Sequence, residues 1–129
     1  MEKSKISILV VEDDISSREI IRNFLIQLGH KAAFVETGYE CIEYCHNHTA
    51  DIIFMDLVMP GLNGFETAKA VRLDPNNKDA YIIAFTSYDS EDIFYKCMEV
   101  GMNDFIQKPI CLNILDEKLN NIVLERKSA

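Results

Sequence analysis

The stretch Asp51-Ile-Ile-Phe-Met-Asp56-Leu-Val-Met-Pro60-Gly61-Leu-Asn-Gly64 decides how this chain is read. Residues 52–55 are apolar with no alternation, the pattern of a strand buried on both faces. The strand runs directly into a carboxylate, Asp56, and then into a turn carrying Pro60 and Gly61. A charge at the tip of an interior strand costs desolvation free energy unless a neighbour favours it there. Taken alone, Asp56 reads as easily as a strand cap as it does as a working group. The ends of the other strands decide between the two.

Outward from this strand the chain alternates. Residues 6–11 (Ile-Ser-Ile-Leu-Val-Val) read as a strand closed by Glu12-Asp13-Asp14, and a helix follows from about residue 16 or 17 to 28. Its stripe at Ile21, Phe24, Leu25 and Leu28 has the spacing of a core-facing surface, and Gly29 stands where such a helix ends. Residues 31–35 read as a short strand, and 38–47 as a short helix with Cys41, Ile42 and Cys45 inward. Beyond the central strand come a helix over 64–72, a polar loop over 74–79 and an apolar strand over 81–85 that ends in Thr86-Ser87. Asp89 or Ser90 caps a helix running to Val100, and Gly101 stops it. Residues 105–107 form the last strand, ending at Lys108-Pro109. A final helix covers 112–124, with Arg126 and Lys127 complementing its dipole. Five such alternations imply an α/β fold, a doubly wound five-stranded parallel sheet with right-handed crossovers and helices on both faces. No linker or repeat interrupts them, so residues 1–129 are expected to form one domain.

A chain of 129 residues can bury a core without disulfide or metal staples. Its 48% hydrophobic and 26% charged residues are ordinary for a globular protein. The apolar runs are of strand length, too short to span a bilayer. The opening Met-Glu-Lys-Ser-Lys does not resemble a secretory signal, so a cytoplasmic location is expected. The net charge of −8, from 13 basic and 21 acidic residues, argues against nucleic acid or an anionic membrane as partner. It favours cations or basic patches on other proteins. Four cysteines, at 41, 45, 97 and 111, form no CxxC pair. Cys41 and Cys45 with His46 and His48 make a conceivable zinc cluster, but ligands so bunched need a second group elsewhere. Buried thiols explain Cys41 and Cys45 more simply.

In a doubly wound sheet, ligands bind beyond the carboxyl ends of the strands. The strand ends read, in turn, Glu12 and Asp13, then Asp56, then Thr86, then Lys108. Three carboxylates, a hydroxyl and an ammonium thus share one edge. Three anions so placed repel one another unless a cation holds them, and oxygen-only ligands point to Mg²⁺. Lys108 adds a positive charge suited to a phosphoryl oxygen or to Asp56. Asp56 is then the natural nucleophile, since a carboxylate accepts a phosphoryl group as an acyl phosphate. Metal and lysine offset charge on the transferring group, and Thr86 is placed to hydrogen-bond a phosphoryl oxygen.

This constellation resembles the receiver domain of two-component response regulators along the whole chain. The pieces that carry the resemblance are Leu9-Val-Val-Glu-Asp-Asp14, Met55-Asp56-Leu-Val-Met-Pro60-Gly61, Phe85-Thr86-Ser87, and Gly101-Met-Asn-Asp-Phe-Ile-Gln-Lys108-Pro109-Ile110. The resemblance implies a flavodoxin-like sheet of order 2-1-3-4-5. It implies that Asp56 is the phosphoacceptor, that Asp13 binds Mg²⁺ directly, that Glu12 does so directly or through water, and that the Val58 backbone carbonyl is a further ligand. It makes Lys108 the phosphate contact, Thr86 and Phe105 a switch pair, and the Lys108–Pro109 bond cis. On phosphorylation Thr86 would move toward the new oxygens and Phe105 would turn inward, reshaping the surface of the fourth helix, fifth strand and fifth helix.

The pattern most resembles receivers of hybrid histidine kinases. The expected partners are therefore a sensor histidine kinase or a histidine-phosphotransfer protein, together with a downstream protein target. Ile15 and Ile20 are candidate docking contacts for such a partner. No DNA-binding output segment is visible within these residues, and the domain is expected to promote only its own phosphorylation and dephosphorylation rather than act as an enzyme. Cys111 stands where the last helix commonly has an Asp, Asn or Ser cap, which leaves its first turn weakly held. Val58 and Tyr88, two residues past Asp56 and Thr86, are apolar or bulky and are expected to slow loss of the phosphoryl group by hindering water. Two other readings stand beside this one: a receiver excised from a hybrid kinase, and a haloacid-dehalogenase-type phosphatase. The phosphatase would use a first-strand Asp-x-Asp nucleophile, where this chain has Glu12-Asp13-Asp14.

Overall fold

Each strand of this protein sends alternate residues to opposite faces of one sheet, and each face acquires its own core. The structure, a computed structural model, describes residues 6–87 and 90–128. Tyr88, Asp89 and the side chains of Arg126 and Lys127, to which the sequence assigns roles above, lie outside the described set. The elements run β1 (Ile8–Val11), α1 (Ile15–Gln27), β2 (Ala32–Val35), α2 (Gly38–Asn47), β3 (Ile52–Asp56), α3 (Gly64–Leu73), β4 (Tyr81–Thr86), α4 (Glu91–Glu99), β5 (Asp104–Gln107) and α5 (Leu112–Ser128). The sheet is parallel throughout, in the order β2-β1-β3-β4-β5, as expected.

Leu9, Val11, Ile53, Met55, Ile82 and Ala84 face α2, α3 and α4, where Cys41, Cys45, Ala68, Val71 and Cys97 complete one buried cluster. Ile8, Val10, Ile52, Phe54, Ile83 and Phe85 face α1 and α5, where Ile21, Leu25, Leu115, Leu119 and Ile122 complete the other. β3, the middle strand, is buried at all of its five residues, as its unbroken apolar run requires.

The helix ends follow from local chemistry. Asp14 caps α1 by accepting from the Ser17 N–H at 2.8 Å, one or two residues earlier than the apolar stripe alone suggests. This hydrogen bond holds the Asp14 carboxyl below the usual range, with Lys108 and Arg18 adding to the effect. Ser90 caps α4 by accepting from the Ile93 N–H. α1 and α4 both close at glycine, with His30 N–H donating to the Leu25 carbonyl and Met102 N–H to that of Cys97. α5 starts directly after Cys111, whose carbonyl accepts from the Leu115 N–H, and it runs four residues beyond the 112–124 span read from the sequence.

The polar loop over 74–79 is a fastening between elements. Asn77, 1% exposed, accepts from the Ala50 N–H at 2.7 Å and donates to the carbonyls of Cys45 and His48 at 2.8 and 2.9 Å. Arg72 donates to the carbonyls of Lys78, Ala80 and Gly101 and to the Asn103 side chain. Between them these two residues bind the ends of α2, α3 and α4 to the amino edge of the sheet. Among the described residues, no helix is long and apolar enough to cross a membrane.

Candidate functional site

The carboxyl edge of the sheet gathers Glu12 and Asp13 from the end of β1, Asp56 from the tip of β3, Thr86 from the tip of β4 and Lys108 just past β5. One carboxylate oxygen each from Glu12, Asp13 and Asp56 lies within 4.8 Å of the other two, and this is the one such acidic or His/Cys cluster among the described residues. Asp56 is brought there by two constraints. Its strand is buried, and α3 begins so close beneath it that a Cβ on Gly64 would lie 2.3 Å from the Asp56 carbonyl oxygen. Glycine at that position therefore lets α3 start where it does.

Lys108 Nζ lies 2.5 Å from Glu12 Oε1 and 3.7 Å from Asp56 Oδ1. The sequence suits this lysine to a phosphoryl oxygen or to Asp56; the pairing with Asp56 is present, and the shorter contact goes to Glu12. The other Glu12 oxygen accepts from the Asp14 N–H at 3.1 Å, so both oxygens of this fully buried carboxylate are engaged. Lys108 also stands over the Phe85 ring at 4.9 Å, and its own N–H donates to the Thr86 carbonyl at 2.7 Å, which fixes the end of β5 against β4. The Lys108–Pro109 bond is cis, as the resemblance implied.

Asp56 is 5% exposed, and its Oδ1 accepts from the Val58 N–H at 3.3 Å. Its pKa is pushed up to about 7, first by burial and then by the adjacent Glu12 carboxyl, against the lowering pull of Lys108 and the Val58 N–H. The sign of its effect on stability follows. The folded chain keeps this proton up to about pH 7, whereas an unfolded Asp releases it near 3.8, so without metal the stability declines as pH rises between those values. Asp56→Asn removes the decline. Urea unfolding in EDTA is expected to show the variant about 1–3 kcal/mol more stable than the native chain at pH 8 and nearly equal at pH 4, after discounting for solvent at the cleft.

The donor set fits a hard divalent cation. It offers only oxygen, it is acidic, and burial beside the Glu12 carboxyl makes its central carboxyl resist ionisation. The alternative grouping at α2 does not assemble. Cys41 and Cys45 are buried, while His46 pairs with Asp74 at 2.8 Å and His48 stacks on Tyr44 with ring centroids 4.1 Å apart. Burial and the shared thiol hydrogen bond also leave the Cys41 thiol strongly protonated, its hydrogen bond to Cys45 being the larger cause.

The profile of the response regulator receiver domain matches residues 8–120. The chain belongs to the response regulator receiver family. It functions as a phosphoacceptor receiver of two-component signal transduction. It is 30% identical to the chemotaxis protein CheY of Pseudomonas aeruginosa over 116 residues, covering 89% of this chain and 94% of that protein. It is 36% identical to hybrid signal transduction histidine kinase E of Dictyostelium discoideum over 115 residues, 86% of this chain. The chain spans only 7% of that kinase, and 32% of a Thermotoga maritima cyclic di-GMP phosphodiesterase with which it shares 31% identity. Among solved receivers, that of the Pseudomonas aeruginosa sensor kinase PA1611 holds a magnesium ion in its active-site cleft. It superposes with a TM-score of 0.85 at 28% identity, covering 92% of this chain and 97% of its own. The receiver of Saccharomyces cerevisiae Ssk1, solved with the histidine phosphotransfer protein Ypd1, superposes with a TM-score of 0.81 at 28% identity, covering 91% and 88%.

Proposed function

We propose that Asp56 is the phosphoacceptor of this receiver, with Glu12, Asp13, Asp56 and the Val58 backbone carbonyl as the ligands of a Mg²⁺ ion. The observation that carries the reading is the convergence of three carboxylates within 4.8 Å beside the Lys108 ammonium. When bound, the metal supplies a positive charge that lowers repulsion between the carboxylates and the incoming phosphoryl group. An oxygen of Asp56 attacks phosphorus, the N–P bond of the donor phosphohistidine breaks, and the imidazole nitrogen takes the bonding electrons. Lys108 turns from Glu12 to the arriving oxygens. The Thr86 hydroxyl binds one of those oxygens, and Phe105, half-buried with its ring 6.5 Å from that of Phe94, follows it inward.

The donor is a sensor histidine kinase or a histidine-phosphotransfer protein, and residues 1–129 act as one receiver unit in the cytoplasm. Ile15 and Ile20, 68% and 44% exposed, flank the cleft on α1. Ile20 also lines a cavity of about 220 Å³ that includes Lys108, Pro109 and Ile110, a suitable seat for an apolar side chain of the donor. The likeness to hybrid kinase E favours a setting within or beside such a kinase. The receiver is not a turnover enzyme, because the acyl phosphate is its output rather than an intermediate.

Incubation with Mg²⁺ and a phosphorylated histidine-phosphotransfer protein, or with acetyl phosphate, is expected to label the chain with one phosphoryl group per molecule. Asp56→Asn should abolish the label. Continuous release of phosphate from a phosphate ester would instead support the phosphatase reading, and failure to take up label in Mg²⁺ overturns the assignment.

A further inference from the structure

The loop from β3 to α3 is anchored at both ends. Leu57 and Met59 are buried, and a reciprocal capping box joins Asn63 to Glu66 at the start of α3. Between these anchors Pro60 and Gly61 are exposed, and Gly61 adopts a φ of +78°, a region that L side chains avoid. The side chain that meets this bend comes from α2. The Tyr39 ring lies so near Gly61 that a methyl group on Gly61 would be 3.3 Å from ring Cε2.

Tyr39 is the second residue of α2 and remains 65% exposed, so burial gives it little reason to be aromatic. Helix propensity gives it none, since Ala would serve α2 better. α2 itself is firmly seated. A Cβ on Gly38 would fall 2.2 Å from the Thr67 hydroxyl and 3.0 Å from the Leu62 carbonyl oxygen, so the start of this helix abuts both the loop and α3. Tyr39 therefore extends from a fixed base over the exposed Pro60–Gly61 stretch of the loop.

We propose that Tyr39 is a positioning residue, its ring bracing the Pro60–Gly61 bend and thereby holding the Val58 backbone in the shape that receives the metal. The proposal rests on the metal-site reading given above. It acts through packing alone, so the ring matters and the hydroxyl does not.

Magnesium titration of the full chain, followed by calorimetry or by amide chemical shifts, tests this. Tyr39→Ala is expected to weaken Mg²⁺ about three- to tenfold, at or below the low end of what outer-sphere changes cost metal sites. Its urea midpoint should stay at the native value, and amide exchange at Gly61 should quicken in the metal-free variant. Tyr39→Phe should bind Mg²⁺ like the native chain. Equal affinity in Tyr39→Ala overturns the proposal, as does a loss in Tyr39→Phe, which would assign the effect to the hydroxyl. Absence of Mg²⁺ binding by the native chain would instead remove the metal-site reading and the brace with it.

Discussion

Lys108→Met is expected to destabilise the metal-free protein by about 2–3 kcal/mol at pH 8, somewhat less than the cost of breaking a fully enclosed ion pair. Methionine keeps an apolar stem of similar length but not the ammonium that stands over the Phe85 ring, so the lost element is charge. Glu12, with no exposed surface, loses the ammonium 2.5 Å away, and Asp56 loses the one cation that lowers its pKa. The Asp56 pKa then rises beyond its present value of about 7. The variant's folded state therefore retains a proton over a wider range than the unfolded chain. Its deficit is full at alkaline pH and shrinks as pH falls toward the unfolded carboxylate range near 4. Mg²⁺ should also narrow the gap, because a divalent ion supplies the missing charge. Urea unfolding at pH 8 and pH 5, with EDTA and with Mg²⁺, reads all of these effects. A deficit that ignores both pH and metal would show that Lys108 contributes packing rather than charge.

Asn77→Ala is expected to cost about 2–4 kcal/mol at every pH, and roughly 8–15 °C in melting temperature. The substitution leaves the Ala50 N–H without its acceptor in a buried seam and strips donors from the Cys45 and His48 carbonyls. Each such bond contributes about 1 kcal/mol net, and an orphaned buried donor adds a further penalty of about 1–3 kcal/mol. The neighbouring Asn76 provides the control. It is exposed, and its side chain reaches only the His46 carbonyl at 3.1 Å. Asn76→Ala should therefore cost less than about 1 kcal/mol. Thermal melts of the two variants side by side test the contrast, and equal losses would contradict it.

Most of the architecture was legible because it is written in local periodicity. The unbroken apolar run of β3, the stripe of α1 and the glycines after α1 and α4 each announce one element, and five alternations leave little topological choice. The meeting of Glu12, Asp13, Asp56, Thr86 and Lys108 at one edge was legible too, since each stands at or just past the end of a strand. What escaped was contact through space. Nothing near Lys108 in the chain indicates that its ammonium meets Glu12, 96 residues away. The loop over 74–79 has the composition of an ordinary polar turn, and only the folded geometry shows that Asn77 reaches back to residues 45–50. Asp14 was legible in principle. It precedes Ser17 with capping spacing, but it follows Glu12 and Asp13 in one acidic run, and composition alone does not separate a cap from a ligand.

The two separate cores have a consequence for how such a protein diversifies. A sheet packed independently on its two sides works as a partition wall. The helix that flanks the cleft with Ile15 and Ile20 shares its core with α5, whereas Phe105 packs into the core of α2, α3 and α4. Under the roles proposed above, the donor contacts Ile15 and Ile20 and the switch residue Phe105 would then sit on opposite sides of that wall, with α5 on the donor's side. A substitution beside Ile15 or Ile20 would reach Phe105 only across the sheet, whereas it reaches α5 directly through their common core.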